Sequence, residues 1–233
     1  MKYLLFPITL FLIWSCTIKS HCSSITKSNK QQLTYLALGD SYTIGESVNE
    51  NERWPLQLAA ALNNEGVNLD TKIIAKTGWR TDNLLQTAKK KLRDEKFDLV
   101  SLLIGVNNEY QGESANGFEA KFRACLDYAV TRSKKGKAGV FIVTIPDYGY
   151  TPFGKRNRKK ISKRLEAYNS ICKSVAKTEG VLCVDITPIS QNGLIDTDLV
   201  ADDGLHPSSK QYKLWVEEIL KNKVMLTSSF SNY

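Results

Sequence analysis

Five short apolar runs punctuate the chain, and amphipathic stretches separate them. The runs are TYLALG (34–39), TKIIA (71–75), FDLVSLLIG (97–105), AGVFIVTIPD (138–147) and VLCVDIT (181–187). Each is strand-length and closes on a turn former or a polar residue, so each predicts a strand. The third is almost wholly apolar, as a central parallel strand covered on both faces must be. The intervening stretches repeat at three-and-four spacing. Leu58, Ala59 and Leu62 predict a helix over 54–64, with Pro55 in its first turn. Leu84, Leu85, Ala88 and Leu92 predict a second, capped by Thr81. Phe118, Phe122, Cys125, Leu126 and Ala129 mark a third, and Ile161, Leu165, Tyr168, Cys172 and Val175 a fourth. A last helix starts at Pro207 and carries Tyr212, Trp215, Val216 and Ile219 inward. Residues 147–157 and 188–203 read as loops, the first carrying Tyr148, Tyr150 and Phe153.

Strand–helix alternation of this kind predicts one α/β domain with a parallel sheet. Chemistry in such folds gathers beyond the carboxyl ends of the strands, so the residues that follow each strand carry the argument. Ser41 follows the first strand, Gly78 the second, Asn107 the third, and Asp203 and His206 the fifth. The chain has two histidines, and His21 precedes the predicted domain. His206 is therefore the one conventional base available to Ser41, and a serine needs an adjacent base to act as a nucleophile. Asp203, three residues before His206, has the spacing to reach the ring and fix its tautomer. Asp202 competes for that role with a poorer spacing. Asp40 reads as a structural turn aspartate, and Trp54 as core.

Composition narrows the picture further. A 233-residue chain with 42% hydrophobic and 24% charged residues fits one globular domain. The net charge of +8 suits a solvated lysine-rich surface. The run KRNRKKISKR from Lys155 reads as a solvated helix start, with docking on anionic lipid or glycan as the alternative. No phosphate loop, dinucleotide fingerprint or metal-ligand spacing is present, so neither a cofactor nor a metal is expected, and nor is nucleic acid. Cys125, Cys172 and Cys183 read as free thiols on inward faces, with a Cys172–Cys183 bridge left open. The N-terminal MKYLLFPITLFLIWSC pairs a lysine with an apolar run too short to span a bilayer. It predicts a signal peptide over 1–15 and lipidation at Cys16; simple secretion and an uncleaved anchor are the alternatives. A polar tether over 16–32 then leads into a domain at 33–225 and a tail at 226–233. An exported monomer, held to a membrane through its N-terminal lipid, is the expectation.

Taken in order, Gly39-Asp40-Ser41, Gly78, Gly105-Val106-Asn107-Asn108 and Asp203-Gly204-Leu205-His206 resemble the four motif blocks of the SGNH/GDSL hydrolases, a superfamily of esterases and lipases. The resemblance runs from Leu36 to Pro207. It implies a flavodoxin-like three-layer α/β/α fold with strand order 2-1-3-4-5. It also implies a nucleophile at Ser41, a base at His206, an orienting acid at Asp203, and an oxyanion hole from the amides of Ser41 and Gly78 and the side chain of Asn107. Two positions depart from the pattern. Trp79 stands where a small or polar residue is common, and Asn108 replaces the usual Asp. Trp79, Tyr148 and Phe153 are candidates to line a substrate pocket. The implied activity is hydrolysis of carboxylic esters: lysophospholipids, short acyl or aryl esters, acyl thioesters or O-acetylated glycans. A non-catalytic lipid- or glycan-binding module and an acyltransferase are the alternatives.

Overall fold

The computed structural model describes residues 32–222 and Leu226. The signal segment, Cys16, Cys22 and the tail beyond Leu226 lie outside the described residues. Five parallel strands form a single sheet in the order β2-β1-β3-β4-β5: β1 (Leu33–Gly39), β2 (Leu69–Ala75), β3 (Leu99–Leu103), β4 (Val140–Val143) and β5 (Leu182–Val184). The central strands β3 and β4 are buried at every position, and β1 at all but one. The edge strands β2 and β5 carry exposed or half-buried positions. The apolar runs therefore sort by depth in the sheet, as continuous burial on both faces requires.

Among the described residues eight α-helices connect and cover the strands. They are α1 (Ser41–Ile44), α2 (Trp54–Asn64), α3 (Thr81–Leu92), α4 (Val106–Tyr110), α5 (Ala115–Arg132), α6 (Arg158–Glu179), α7 (Thr187–Ser190) and α8 (Ser209–Leu220). α2 packs on α8, while α3 packs on α5 and α5 on α6, which gives the two helical layers. Trp54 and Trp215 are fully buried in the layer formed by α2 and α8, and Phe118, Phe122 and Tyr168 in the other. None of the described helices is long and apolar enough to cross a membrane. Cys125, Cys172 and Cys183 are free thiols, so no Cys172–Cys183 bridge forms.

Three local expectations change. Thr81 is the first helical residue of α3 and not its cap; Arg80 takes that position, and the buried Thr81 hydroxyl faces Asn108. α8 begins two residues after Pro207, where the Ser208 side chain accepts from the Gln211 amide. Both predicted loops contain helical turns, including α7.

Sheet register does the positioning. Gly39 pairs with Ala75 on one side and Leu103 on the other. Three strands thus end level, and the residues that follow them emerge side by side.

Candidate active site

At the end of β1 the chain turns directly into the one-turn helix α1. Asp40 is its N-cap and accepts from the Tyr42 amide at 3.1 Å. Ser41 is the first helical residue, so helix geometry leaves its own N–H without an intrahelical acceptor. Asp40 is fully buried, and that burial raises its carboxyl to about 7 against the backbone hydrogen bonds that favour the charge.

Gly78 follows β2 with φ +82°, and apart from its chain neighbours no residue comes within 4 Å of where a Cβ would stand. The left-handed backbone suits glycine, and the open side leaves its amide approachable. Gly105 caps α4 with φ +133°, where a Cβ would press on Phe118 and Ile145. This bend carries Asn107 beyond the end of β3. Asn107 Nδ2 donates to the Trp79 carbonyl at 3.0 Å, which holds the amide plane and leaves its second N–H available.

His206 sits in a closed loop. Val200 and Pro207 form an antiparallel bridge, and the Ala201 amide donates to the His206 carbonyl. Within this loop Asp203 Oδ2 lies 2.5 Å from His206 Nδ1. Its Oδ1 accepts from the amides of Leu205 and His206, both at 2.9 Å, and Ser47 Oγ donates to Oδ2 at 2.7 Å. Partial burial opposes the charge on Asp203, but hydrogen bonds led by Ser47 and His206 outweigh it and hold the carboxyl at about 2. Ser47 itself has φ +66°, a left-handed conformation that few side-chain-bearing residues adopt. The Tyr42 ring meets the His206 ring edge-on at 5.7 Å.

Ser41, Gly78, Asn107 and His206 all line one cavity of about 270 Å³. With Nδ1 engaged by Asp203, Nε2 is the imidazole nitrogen left for chemistry. No hydrogen bond joins Ser41 Oγ to His206 here; such catalytic contacts often tighten only when substrate binds. Apolar and aromatic side chains complete the lining: Val106, Tyr110, Tyr148, Phe153 and Leu205.

Tyr148 and Phe153 stand where sequence expected, at the cavity. Trp79 does not: it packs against the core, and its carbonyl, not its ring, meets the site through Asn107. Asp203, and not Asp202, meets the histidine. Sequence reasoning missed Tyr42, Thr77, Val106, Tyr110 and Leu205 as lining residues, and Ser47 as the partner of Asp203. Tyr110, an aromatic three residues after Asn107, was the one with a legible signal. It also missed Glu109, fully buried behind the wall, which accepts from the Tyr148 hydroxyl at 2.8 Å and pairs with Arg164 at 2.9 Å. Burial raises the Glu109 carboxyl despite both partners.

Asn108 is buried next to Asn107. Its Oδ1 accepts from the Thr81 amide; its Nδ2 donates to Thr81 Oγ1 and, at 2.8 Å, to Glu113 Oε2. Glu113 also binds Arg80 and Lys121. An amide fits where a carboxylate already stands, which explains the departure at this position. Among the described residues no group of His, Cys, Asp and Glu is arranged to hold a metal ion.

Comparison with solved structures places this arrangement among known folds. A GDSL lipolytic protein from Veillonella parvula superposes with a TM-score of 0.67 at 15% identity, over 81% of this chain and 96% of its own. The psychrotrophic esterase EstA from Pseudoalteromonas gives 0.64 at 16%, over 84% and 100%. A lipase/acylhydrolase from Enterococcus faecalis gives 0.66 at 18%, over 83% and 96%. No curated protein matches the chain. The GDSL-like lipase/acylhydrolase profile matches residues 37–214, a span that opens inside β1 and ends inside α8. The sheet, the level strand ends and the cavity they frame are therefore those of a GDSL-like lipase/acylhydrolase: the chain belongs to that family and is a carboxylic ester hydrolase.

Proposed function

We propose that the chain cleaves carboxylic esters through an acyl-serine intermediate on Ser41. Ser41 Oγ attacks the ester carbonyl carbon while its proton passes to His206 Nε2. Asp203 holds the tautomer and offsets the charge of the imidazolium. The carbonyl oxygen becomes an oxyanion, met by the N–H groups of Ser41 and Gly78 and the free N–H of Asn107. The bond to the alkoxy oxygen then breaks, and the imidazolium proton goes to the departing alcohol. Water, deprotonated by His206, attacks the acyl carbon; the bond to Ser41 Oγ breaks, the imidazolium proton returns to Oγ, and the acid is released.

One observation carries this reading: Ser41, Gly78, Asn107 and His206 share a cavity, and Asp203 is bonded behind His206. The apolar wall of Tyr110, Tyr148, Phe153 and Leu205 favours an apolar acyl or aryl group of modest size. The test is covalent. A fluorophosphonate probe should label the protein at one site and block ester hydrolysis, and Ser41→Ala should abolish both labelling and turnover. Labelling that persists in Ser41→Ala would remove Ser41 as the nucleophile.

A further inference from the structure

Three large hydrophobic side chains are exposed among the described residues: Tyr110, Phe153 and Ile195. Two of them share the mouth of the catalytic cavity. Tyr110 is 59% exposed, Phe153 is 53% exposed, and their ring centroids lie 6.2 Å apart. The Phe153 amide donates to the Gly204 carbonyl, so this aromatic rim is tied to the loop that carries Asp203 and His206.

Two residues beyond Phe153 begins a run of cations. Lys155, Arg156, Arg158, Lys159 and Lys160 are all exposed and line one shallow concavity with Asn157. Among the described residues none of these five forms an ion pair with a carboxylate within 4 Å, a state they share with other surface lysines such as Lys89, Lys90 and Lys91; what sets them apart is their place beside the exposed aromatic rim. Arg158 instead lies over the Tyr150 ring. Three of the five occupy the first turn of α6, which has no acidic residue there. Cations at a helix N-terminus oppose the macrodipole. Like-charged neighbours gathered against that field are a local conflict, and such conflicts mark function more often than stability.

We propose that the rim formed by Tyr110, Phe153 and the basic segment 155–160 docks on an anionic lipid bilayer and seats the cavity mouth against the lipid. The two halves of the rim ask for different things, and a bilayer supplies both. Phe153 has no polar atom, so it gains from an apolar phase. The five cations gain from lipid phosphates at the surface above that phase. A hydrated acidic polymer would satisfy the cations and leave Phe153 in water. The docking rests on the rim alone; that it delivers a lipid-borne ester to Ser41 rests on the proposed acyl-serine chemistry.

The experiment is cosedimentation with vesicles, using the chain from residue 32 onward, which contains every described strand and helix and lacks the apolar N-terminal segment. Vesicles of phosphatidylcholine alone are compared with vesicles containing about one third phosphatidylglycerol, at low and at raised salt. Partitioning should be at least about tenfold stronger on the anionic vesicles and should weaken with salt. Arg156→Glu with Lys160→Glu should lower it at least about tenfold, while hydrolysis of a water-soluble short ester is unchanged. The neutral pair Arg156→Gln with Lys160→Gln should fall between. Phe153→Ser should lower it by about tenfold through lost apolar insertion. Equal binding to both vesicle types, or unchanged binding by the charge-reversed protein, would overturn the proposal. So would retention on an acidic polysaccharide without vesicle binding. Vesicle binding in a protein that fails to hydrolyse any soluble ester would support the docking surface and count against the acyl-serine reading.

Discussion

Replacing Asn108 with aspartate restores the residue most common at this point of the motif, yet in this chain it should damage the protein. Asn108 is fully buried, and its Nδ2 lies 2.8 Å from Glu113 Oε2. Asn108→Asp removes that charge-assisted bond and sets a second carboxylate against the first. Two unit charges relaxed to about 4 Å repel by about 4 kcal/mol at an effective dielectric constant of 20. Arg80, 3.0 Å from Glu113, and Lys121, 2.5 Å away, offset part of this. The net cost at pH 7.5 should be about 2–4 kcal/mol, which lowers the melting temperature by about 5–15 °C for a domain of this size. The sign with pH follows from the repulsion. It raises the shared carboxyl above its unfolded value, so the penalty is small in acid and grows as pH rises through that raised value. Thermal melts at several pH values measure this, and Glu113→Gln in the Asn108→Asp background should return most of the loss. A melting temperature that is unchanged at pH 7.5, or that falls equally in acid, would refute the reasoning.

Two further outcomes follow from the site. Asn107→Ala should lower kcat by about 10²–10³, the usual cost of one oxyanion donor, with a smaller change in KM; steady-state kinetics on a soluble ester checks it, and an unchanged kcat removes Asn107 from the role. Asp40 should make the protein lose stability as pH rises. Its carboxyl gives up a proton near 3.8 when unfolded but holds it to about 7 when buried. The folded state is therefore favoured below the lower value and loses roughly 4 kcal/mol of stability across the window between them. Asp40→Asn should flatten that slope in denaturant titrations at pH 4.5 and 7.5, and parallel slopes in the two proteins would contradict it.

The periodic parts of the molecule were legible in the sequence. α2 spans 54–64, as its apolar spacing and Pro55 require, and β3 lies within the one run apolar enough for the sheet centre. The short helices α1 and α4 were not legible, because one turn contains too few residues to show a period. These are the helices that hold Ser41 and Asn107, so the site residues could be named while their local geometry could not. Tyr42, edge-on to His206, and Ser47, bonded to Asp203, were invisible for another reason. Their partners lie more than 150 residues away, and no local pattern records such a contact. Trp79 was expected at the pocket because it stands where the motif usually has a small or polar residue; its ring instead packs against the core, a contact with distant residues that the motif position does not record.

The loop between Val200 and Pro207 closes on itself before it touches the rest of the site. Asp203 and His206 are bonded to each other and to the backbone inside that loop, so much of their mutual alignment is local. Ser47 and Phe153 then tie the loop to the rest of the molecule from outside it. A laboratory graft of residues 200–207 onto a related scaffold would therefore carry the acid–base pair, but it would need a hydroxyl in the place of Ser47 to hold the Asp203 charge.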